Sequence, residues 1–335
     1  MVLVSCVGIT SQESRVFKKF FSKKFLIKSY PETINEQLLA KIKNTEVLTT
    51  HIYSKINKQV LDKLPNLKLI VTRTTGYDHI DLVACKKKGV VVCNVPSYGE
   101  NTVAEHTFAL ILNLSRNVHK SYLRTINGNY NKDDLQGFDL KGKTIGVIGA
   151  GHIGMHVIKI AKGFGMHVLA YDLFKNDFLS DLLHFNYASL DEIYKKADII
   201  SLHVPFNEHT NHLINAKAIS KMKKGVIIVN TSRGGVIDTG ALYNALIKEK
   251  VGGVGLDVIE GEEIVMEDNL LKDPDNIKGS NWKLLAEDLK LLKLDNVLFT
   301  PHNAFNSKEA TKRRLQVSAD DILGFYKGKV INQVN

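Results

Sequence analysis

Apolar and polar residues follow two rhythms along this chain. Short runs rich in Val and Ile recur between longer stretches with helical spacing. The runs read as strands at Val2–Val7, Glu46–Thr50, Lys68–Arg73, Val90–Cys93, Thr144–Ile148, His167–Tyr171, Ile199–His203, Val226–Asn230, Gly253–Val258 and Asn296–Thr300. Several, such as Ile199 to Leu202 and Val226 to Val229, are almost continuously apolar, as expected of strands covered on both faces of a parallel sheet. Between them, Glu105–Lys120 carries Phe108, Leu110, Ile111, Leu112 and Leu114 and predicts a heavily buried helix. Ile153–Phe164 predicts a second helix, and Thr239–Lys250 a third with Asp238 as its N-cap. The alternation specifies an α/β protein. One segment breaks it. Gly261–Leu294 is long, polar and helix-compatible, with Asp273-Pro274-Asp275 as a turn; an excursion of that length is usually a functional loop or an added helix.

The length of 335 residues suits two domains, and 44% apolar with 24% charged residues is ordinary for a globular protein. No apolar run reaches the roughly 18 residues of a membrane span, so no membrane association is expected. Met1 to Gly8 lacks a basic leader and a small-residue cleavage site, so it reads as a buried first strand. Cys6, Cys85 and Cys93 have no metal-type spacing and read as buried thiols of a reducing, cytoplasmic setting. No metal site is expected. The formal charge of +10 permits nucleic-acid binding, but lysines such as Lys18, Lys41, Lys63, Lys195, Lys223 and Lys290 are scattered. No aromatic residues interleave with them, so a solvated basic surface is the better reading and no nucleic-acid partner is expected.

The first chemical signal is Gly149-Ala150-Gly151-His152-Ile153-Gly154, placed between the strand ending at Ile148 and a helix. A second strand, His167–Tyr171, then ends at Asp172. Strand, glycine loop, helix, strand and acid form the dinucleotide fingerprint in its required context. Gly149 permits a tight turn, Gly151 lets a pyrophosphate approach the backbone, and Gly154 lets helix and strand pack closely. The helix N-terminus offers free N–H groups to phosphates. Asp172 can accept both ribose hydroxyl protons and would repel a 2′-phosphate, which favours NAD over NADP.

Three further strand ends carry polar residues that packing does not require: Arg233, Glu262 and His302. In an open α/β sheet ligands bind at the carboxyl ends of strands, so these three would converge on one crevice. The set suits hydride transfer to a 2-oxo acid. Arg233 can hold a carboxylate with a forked pair of N–H groups and polarise the adjacent carbonyl. His302 can donate a proton to the carbonyl oxygen and remove it in the reverse direction. Glu262 beside it would favour the imidazolium.

The motifs together resemble the D-isomer-specific 2-hydroxyacid dehydrogenases over essentially the whole chain. They are Arg73 to Asp78, Val95 to His106, the glycine loop, His203-Val204-Pro205, Val229 to Gly235, Leu256 to Glu262 and Thr300 to Phe305. The resemblance implies two Rossmann-like or flavodoxin-like parallel-sheet domains, with the cofactor domain inserted into the substrate domain. The expected division is 1–100 with 303–335 for substrate and 101–302 for NAD. It implies that Arg233, Glu262 and His302 are the substrate arginine, the partner glutamate and the acid/base. It implies that the backbone of Thr75 and Gly76 meets the substrate carboxylate, and that Tyr98 and Phe305 border the pocket. It implies NAD contacts at His152, Ile153, His203, Val204, Pro205, Thr210, Thr231, Ser232, Arg233 and Asp257. It also implies a homodimer built on the cofactor domain, with the Glu105–Lys120 helix as a candidate contact. Within the family the chain is most similar to enzymes of D-lactate and pyruvate, through Glu260 to Glu263, the long insert before Asn296 and Phe305. Asn303 and Gly99-Glu100 depart from the more usual apolar residue and Ser-Pro. A glyoxylate or hydroxypyruvate reductase, another larger 2-oxoacid reductase, and an NAD-sensing binding protein stay open as alternatives.

Overall fold

The computed structural model describes residues 1–262 and 287–335. Most of the polar excursion expected at Gly261–Leu294 therefore lies outside the described residues. The chain divides into two compact units, Met1–Gly99 with Asn306–Asn335, and Glu100–Phe305. The junctions fall after residues 99 and 305, where the sequence suggested 100 and 302. Asp257 accounts for the later second junction. Its carboxylate accepts the amides of Asn303 and Ala304 at 2.8 and 2.9 Å and keeps them with the second unit.

The first unit is built on a five-stranded sheet in the order β2-β1-β3-β4-β5. Its strands are β1 (Val2–Val7), β2 (Phe25–Tyr30), β3 (Val47–Thr50), β4 (Leu69–Thr72) and β5 (Val91–Cys93). Every pairing is parallel. One face buries Leu38, Ile42, Leu61, Ile70 and Val92; the other buries Val4, Phe17, Val71, Leu315 and Ile322. The last two come from the long helix Lys308–Phe325, which brings the C-terminal segment into this unit. Beyond it the chain returns along β5, where Asn94 N donates to Asn332 O and Val334 N to Val92 O. That pairing covers a sheet edge that would otherwise be open.

The second unit carries seven strands in the order β12-β11-β10-β9-β6-β7-β8. They are β6 (Thr144–Ile148), β7 (His167–Tyr171), β8 (Asn186–Tyr187), β9 (Ile199–Leu202), β10 (Val226–Asn230), β11 (Val251–Leu256) and β12 (Val297–Phe299). All are parallel. The strand order reverses between β6 and β9, the topological switch point at which doubly wound sheets bind dinucleotides.

Two strands were not expected, β2 and β8. Both are edge strands; β2 is half exposed, with Leu26 and Lys28 facing out, and β8 has two residues. Neither produces the continuous apolar run of a central strand. The buried helix expected at Glu105–Lys120 runs instead from Glu100 to Arg116. Asn117 then takes a left-handed conformation, φ 50°, and a new helix begins, Val118–Ile126. Apolar residues of Glu100–Arg116 pack on β10, β11 and the helix His152–Gly163 of the same unit. The exposed apolar residues belong to the next helix: Val118, Tyr122, Leu123 and Ile126. Helix Thr239–Ile247 has the expected cap, with Asp238 accepting from Ala241 N at 2.9 Å. The three cysteines are buried and unpaired.

Candidate active site

The glycine loop follows β6 at the switch point. Gly149 has φ +96°, and a Cβ there would lie 2.5 Å from His203 O. A side chain is therefore excluded by the chain leaving β9. A Cβ on Gly154 would stand 2.0 Å from Gly149 O, so the helix His152–Gly163 can approach the turn only with glycine at that position. At Gly151 a Cβ would meet nothing within 4 Å. It faces open space in front of the helix N-terminus, where a pyrophosphate needs to approach the backbone. Asp172 ends β7 and ties the loop down, accepting Ala150 N at 2.8 Å and Phe174 N at 2.9 Å. Each carboxylate oxygen has a second lone pair, so ribose hydroxyls remain within its capacity. The residues present thus fit a dinucleotide.

Opposite the glycine loop stands the chain after β9. His203 N donates to Ile148 O, and its ring Nε2 lies 2.7 Å from Ser201 Oγ. Burial of the ring pushes His203 down to about 3, so it is neutral at physiological pH. Thr210 Oγ1 donates to Pro205 O at 2.6 Å and closes the Pro205–Thr210 turn. His152 is exposed and Ile153 half-buried in the first helical turn.

Arg233 follows β10. Asn230, the buried last residue of that strand, forms the turn by accepting from Ser232 N and Ser232 Oγ and donating to Arg233 O. The guanidinium donates to Ser232 O at 2.8 Å. Thr231 Oγ1 meets Thr107 Oγ1 at 3.0 Å, which links this turn to the buried helix.

His302 and Glu262 meet across two loops, with Nδ1 and Oε1 2.8 Å apart. This pairing uses Nδ1 and leaves Nε2 as the nitrogen that can exchange a proton with a ligand. His302 sits in the left-handed region, φ 48°, and its amide donates to Asp257 O and Thr300 O. Asp257, almost fully buried, also accepts Thr300 Oγ1 at 2.5 Å. Its carboxylate thus braces the histidine turn from beneath. His106 Nε2 supports Thr300 Oγ1 at 2.9 Å. Phe305 lies edge-on to the His302 ring with centroids 6.3 Å apart.

Thr75, Gly76 and Tyr98 belong to the first unit. Thr75 and Gly76 occupy the turn after β4, where Thr75 Oγ1 donates to Val95 O and Thr74 Oγ1 to Gly76 O. Arg73, buried beneath that turn, donates to Thr49 Oγ1, Val7 O and Gly8 O and so ties three strand ends together. Tyr98 is buried, and its carbonyl accepts Arg313 Nε at 2.7 Å. Sequence reasoning missed Asn230, Thr300, His106 and the bracing roles of Asp257 and Arg73. A polar residue at the last, buried position of an apolar strand, as at Asn230, is the signal that could have found one of them.

No helix among the described residues is long and apolar enough to cross a membrane. Among the described residues no group of three or more His, Cys, Asp or Glu is arranged to hold a metal ion.

A parallel sheet with a glycine turn and helix N-terminus at its switch point, and a Glu–His pair near an arginine on neighbouring strand ends, is the architecture of a dinucleotide-dependent oxidoreductase. Comparison with known proteins narrows the class. Residues 108–304 match the family described as D-isomer specific 2-hydroxyacid dehydrogenase, NAD binding domain. The D-lactate dehydrogenase of Escherichia coli is 38% identical over 264 residues, 78% of this chain and 77% of that protein. The hydroxypyruvate reductase of Thermotoga maritima is 39% identical over 278 residues, 83% of this chain and 84% of the relative. Among solved structures, D-lactate dehydrogenase from Aquifex aeolicus, complexed with NAD and lactic acid, superimposes with a TM-score of 0.86 at 38% identity, covering 97% of this chain and 96% of that one. The chain belongs to the D-isomer specific 2-hydroxyacid dehydrogenases, NAD-dependent oxidoreductases.

Proposed function

We propose that this protein reduces pyruvate to D-lactate with NADH. The observation that carries the reading is the 2.8 Å contact of His302 Nδ1 with Glu262 Oε1, with Phe305 edge-on to the same ring. Glu262 engages Nδ1 and fixes the ring, so Nε2 is the nitrogen left to pass a proton to a carbonyl oxygen. When bound, NADH supplies the hydride. Arg233 holds the substrate carboxylate through its planar fork and draws electron density from the adjacent ketone. The His302 proton then completes the hydroxyl. In the reverse direction neutral His302 removes it. Phe305, edge-on to the His302 ring, is assigned to a wall that suits a methyl substituent. Asp172 selects NAD by its charge. The names of the relatives span D-lactate and hydroxypyruvate, so substrate size is the point to test.

The experiment is NADH oxidation with pyruvate, hydroxypyruvate, glyoxylate and phenylpyruvate side by side, with chiral analysis of the product. Pyruvate should give the highest kcat/KM and yield the D-isomer. A higher kcat/KM for hydroxypyruvate or phenylpyruvate would reassign the substrate, and no turnover of any would refute the enzyme reading. We also infer a homodimer closed through the exposed face of helix Val118–Ile126. Tyr122→Asp should then yield a monomer in light scattering.

A further inference from the structure

The second unit contains another histidine–carboxylate pair, whose carboxylate lies two residues before Glu262. His212 Nε2 lies 2.7 Å from Glu260 Oε1, and Glu260 Oε2 is 3.4 Å from Thr239 Oγ1. Gly261, at φ +69°, separates Glu260 from Glu262. The two carboxylates therefore serve different partners. Glu262 serves His302, and Glu260 reaches the loop after β9.

Between those loops runs the chain after β10, which carries Arg233. A Cβ on Gly234 would lie 1.9 Å from Ile259 O and 2.5 Å from Glu260 N, so these two backbones touch with no room for a side chain. A Cβ on Gly235 would stand 2.6 Å from Phe206. His212 itself is in the left-handed region, φ 49°, and its amide donates to Gly235 O at 2.9 Å. Ile214 N donates to Val236 O, and Asp238 N to Ile214 O. The Arg233 loop is thus enclosed on both sides, and the His212–Glu260 contact closes the ring around it. Glu262 N meanwhile donates to Ile259 O at 3.3 Å, a marginal bond that does not by itself fix the turn.

We propose that His212 and Glu260 form a positioning clasp that holds the Ile259–Glu262 turn against Arg233-Gly234, and so sets the aim of Glu262 at His302 and the placement of Arg233. Neither clasp residue touches substrate; both act through their neighbours. The inference rests on the reading of Glu262 and Arg233 given above. Glu260 lies close enough to the buried Asp288 to push that carboxyl up, and the 2.7 Å contact with His212 is what holds the Glu260 carboxylate on the loop after β9. A displacement near 1 Å in such a constellation typically costs about 100-fold in rate.

The test uses Glu260→Gln, His212→Gln, Glu262→Gln and the Glu260→Gln/Glu262→Gln double variant of the full chain. The readouts are kcat and KM for pyruvate across pH, NADH affinity by fluorescence, and Tm. Both clasp variants should lose roughly 10- to 100-fold in kcat/KM, with a rise in KM from the misplaced arginine and a fall in kcat. Their alkaline limit for reduction should move to lower pH, in the direction of Glu262→Gln but less far. NADH affinity should fall by less than kcat/KM, because Gly149, Gly151, Gly154 and Asp172 are untouched. In the Glu262→Gln background, Glu260→Gln should move the pH limit no further. Unchanged profiles in both clasp variants beside a displaced Glu262→Gln profile would overturn the clasp alone. Equal displacement in both backgrounds would also overturn it, since the pairs would then act independently. An undisplaced Glu262→Gln profile would overturn both the clasp and the assignment of Glu262. Loss of activity that follows a loss of Tm and NADH binding in both clasp variants would show a purely structural contact and overturn the proposal.

Discussion

The two units share one architecture and differ in charge. The first, residues 1–99 with 306–335, holds 22 Lys and Arg against 10 Asp and Glu, a formal +12. The second, residues 100–305, holds 23 against 25, a formal −2. The whole basic excess of the chain thus lies in the unit without the glycine loop. The units also stabilise their strand ends differently. In the first, a buried guanidinium does it: Arg73 gathers the ends of β1 and β3. In the second, glycines and carboxylates do it: Gly149 and Gly234 let backbones touch, and Asp172 and Asp257 accept the amides of neighbouring turns. A net charge read over a whole chain therefore says little about its dinucleotide site, which here lies in the slightly acidic half.

The comparison breaks most sharply at the chemistry, which should be confined to charged groups of the second unit. His302→Ala should lower kcat for pyruvate reduction by roughly 10²–10⁴ with NADH binding retained. Arg233→Gln should raise KM far more than Arg233→Lys, which keeps the charge but loses the fork. Steady-state kinetics with fluorescence titration of NADH decide this; native kcat in His302→Ala would remove the histidine from the mechanism.

A buried cation of the first unit should behave differently. Arg73→Leu leaves the carbonyls of Val7 and Gly8 without their donor and should cost about 3 kcal/mol or more of stability. The residual folded enzyme should bind NADH as the native chain does. Urea unfolding monitored alongside NADH titration separates the two effects, and a stable variant with weakened NADH binding would contradict the division of labour.

A smaller effect concerns cofactor choice. Asp172→Ala should erode a preference for NADH over NADPH, with a change of at least tenfold in the ratio of kcat/KM values. Equal use of both cofactors by the native chain would sink the role of Asp172.

The smallest expected effect is one of pH. Burial, with Glu260 and Glu287 nearby, pushes Asp288 up to about 7. In the unfolded chain the group titrates near 4. Between those values the folded state binds the extra proton, so stability falls as pH rises from about 4 to 7. The loss is absent below the lower value and complete above the upper one. Asp288→Asn should therefore be neutral at pH 4 and more stable than the native chain at pH 8, by on the order of 2 kcal/mol. A variant equally stable at both pH values would show that Asp288 carries no such penalty.

The second unit was the more legible in sequence, for a physical reason. Its strands are continuous apolar runs, and its site depends on backbone demands that fix residue type at short spacing. Gly149, Gly151, Gly154 and Asp172 can be read within one β-α-β unit. The Glu262–His302 contact was legible because both residues follow strands of one sheet. What was illegible depends on contacts between distant segments. Nothing local announces that Arg73 reaches Val7 and Gly8, that Asp257 braces residues 303 and 304, or that Glu260 belongs to His212. Edge strands fail for the opposite reason: β2 is half solvated, so its pattern is diluted by Lys28 and Ser29. The break at Asn117 was hidden because apolar residues continue on both sides of it.

The helix Lys308–Phe325 and the strand-like return along β5 also impose an order of events during synthesis. The second unit is one uninterrupted stretch, so the ribosome releases it whole. The first unit is made in two instalments, and its β1–β5 sheet leaves the ribosome well before Leu315, Ala319 and Ile322 exist to cover Val4, Phe17 and Val71. For the time needed to translate residues 100–305, roughly 10 to 40 seconds at 5–20 residues per second, that apolar face has no native cover. The C-terminal helix is therefore the piece that completes the first unit, and it is made last.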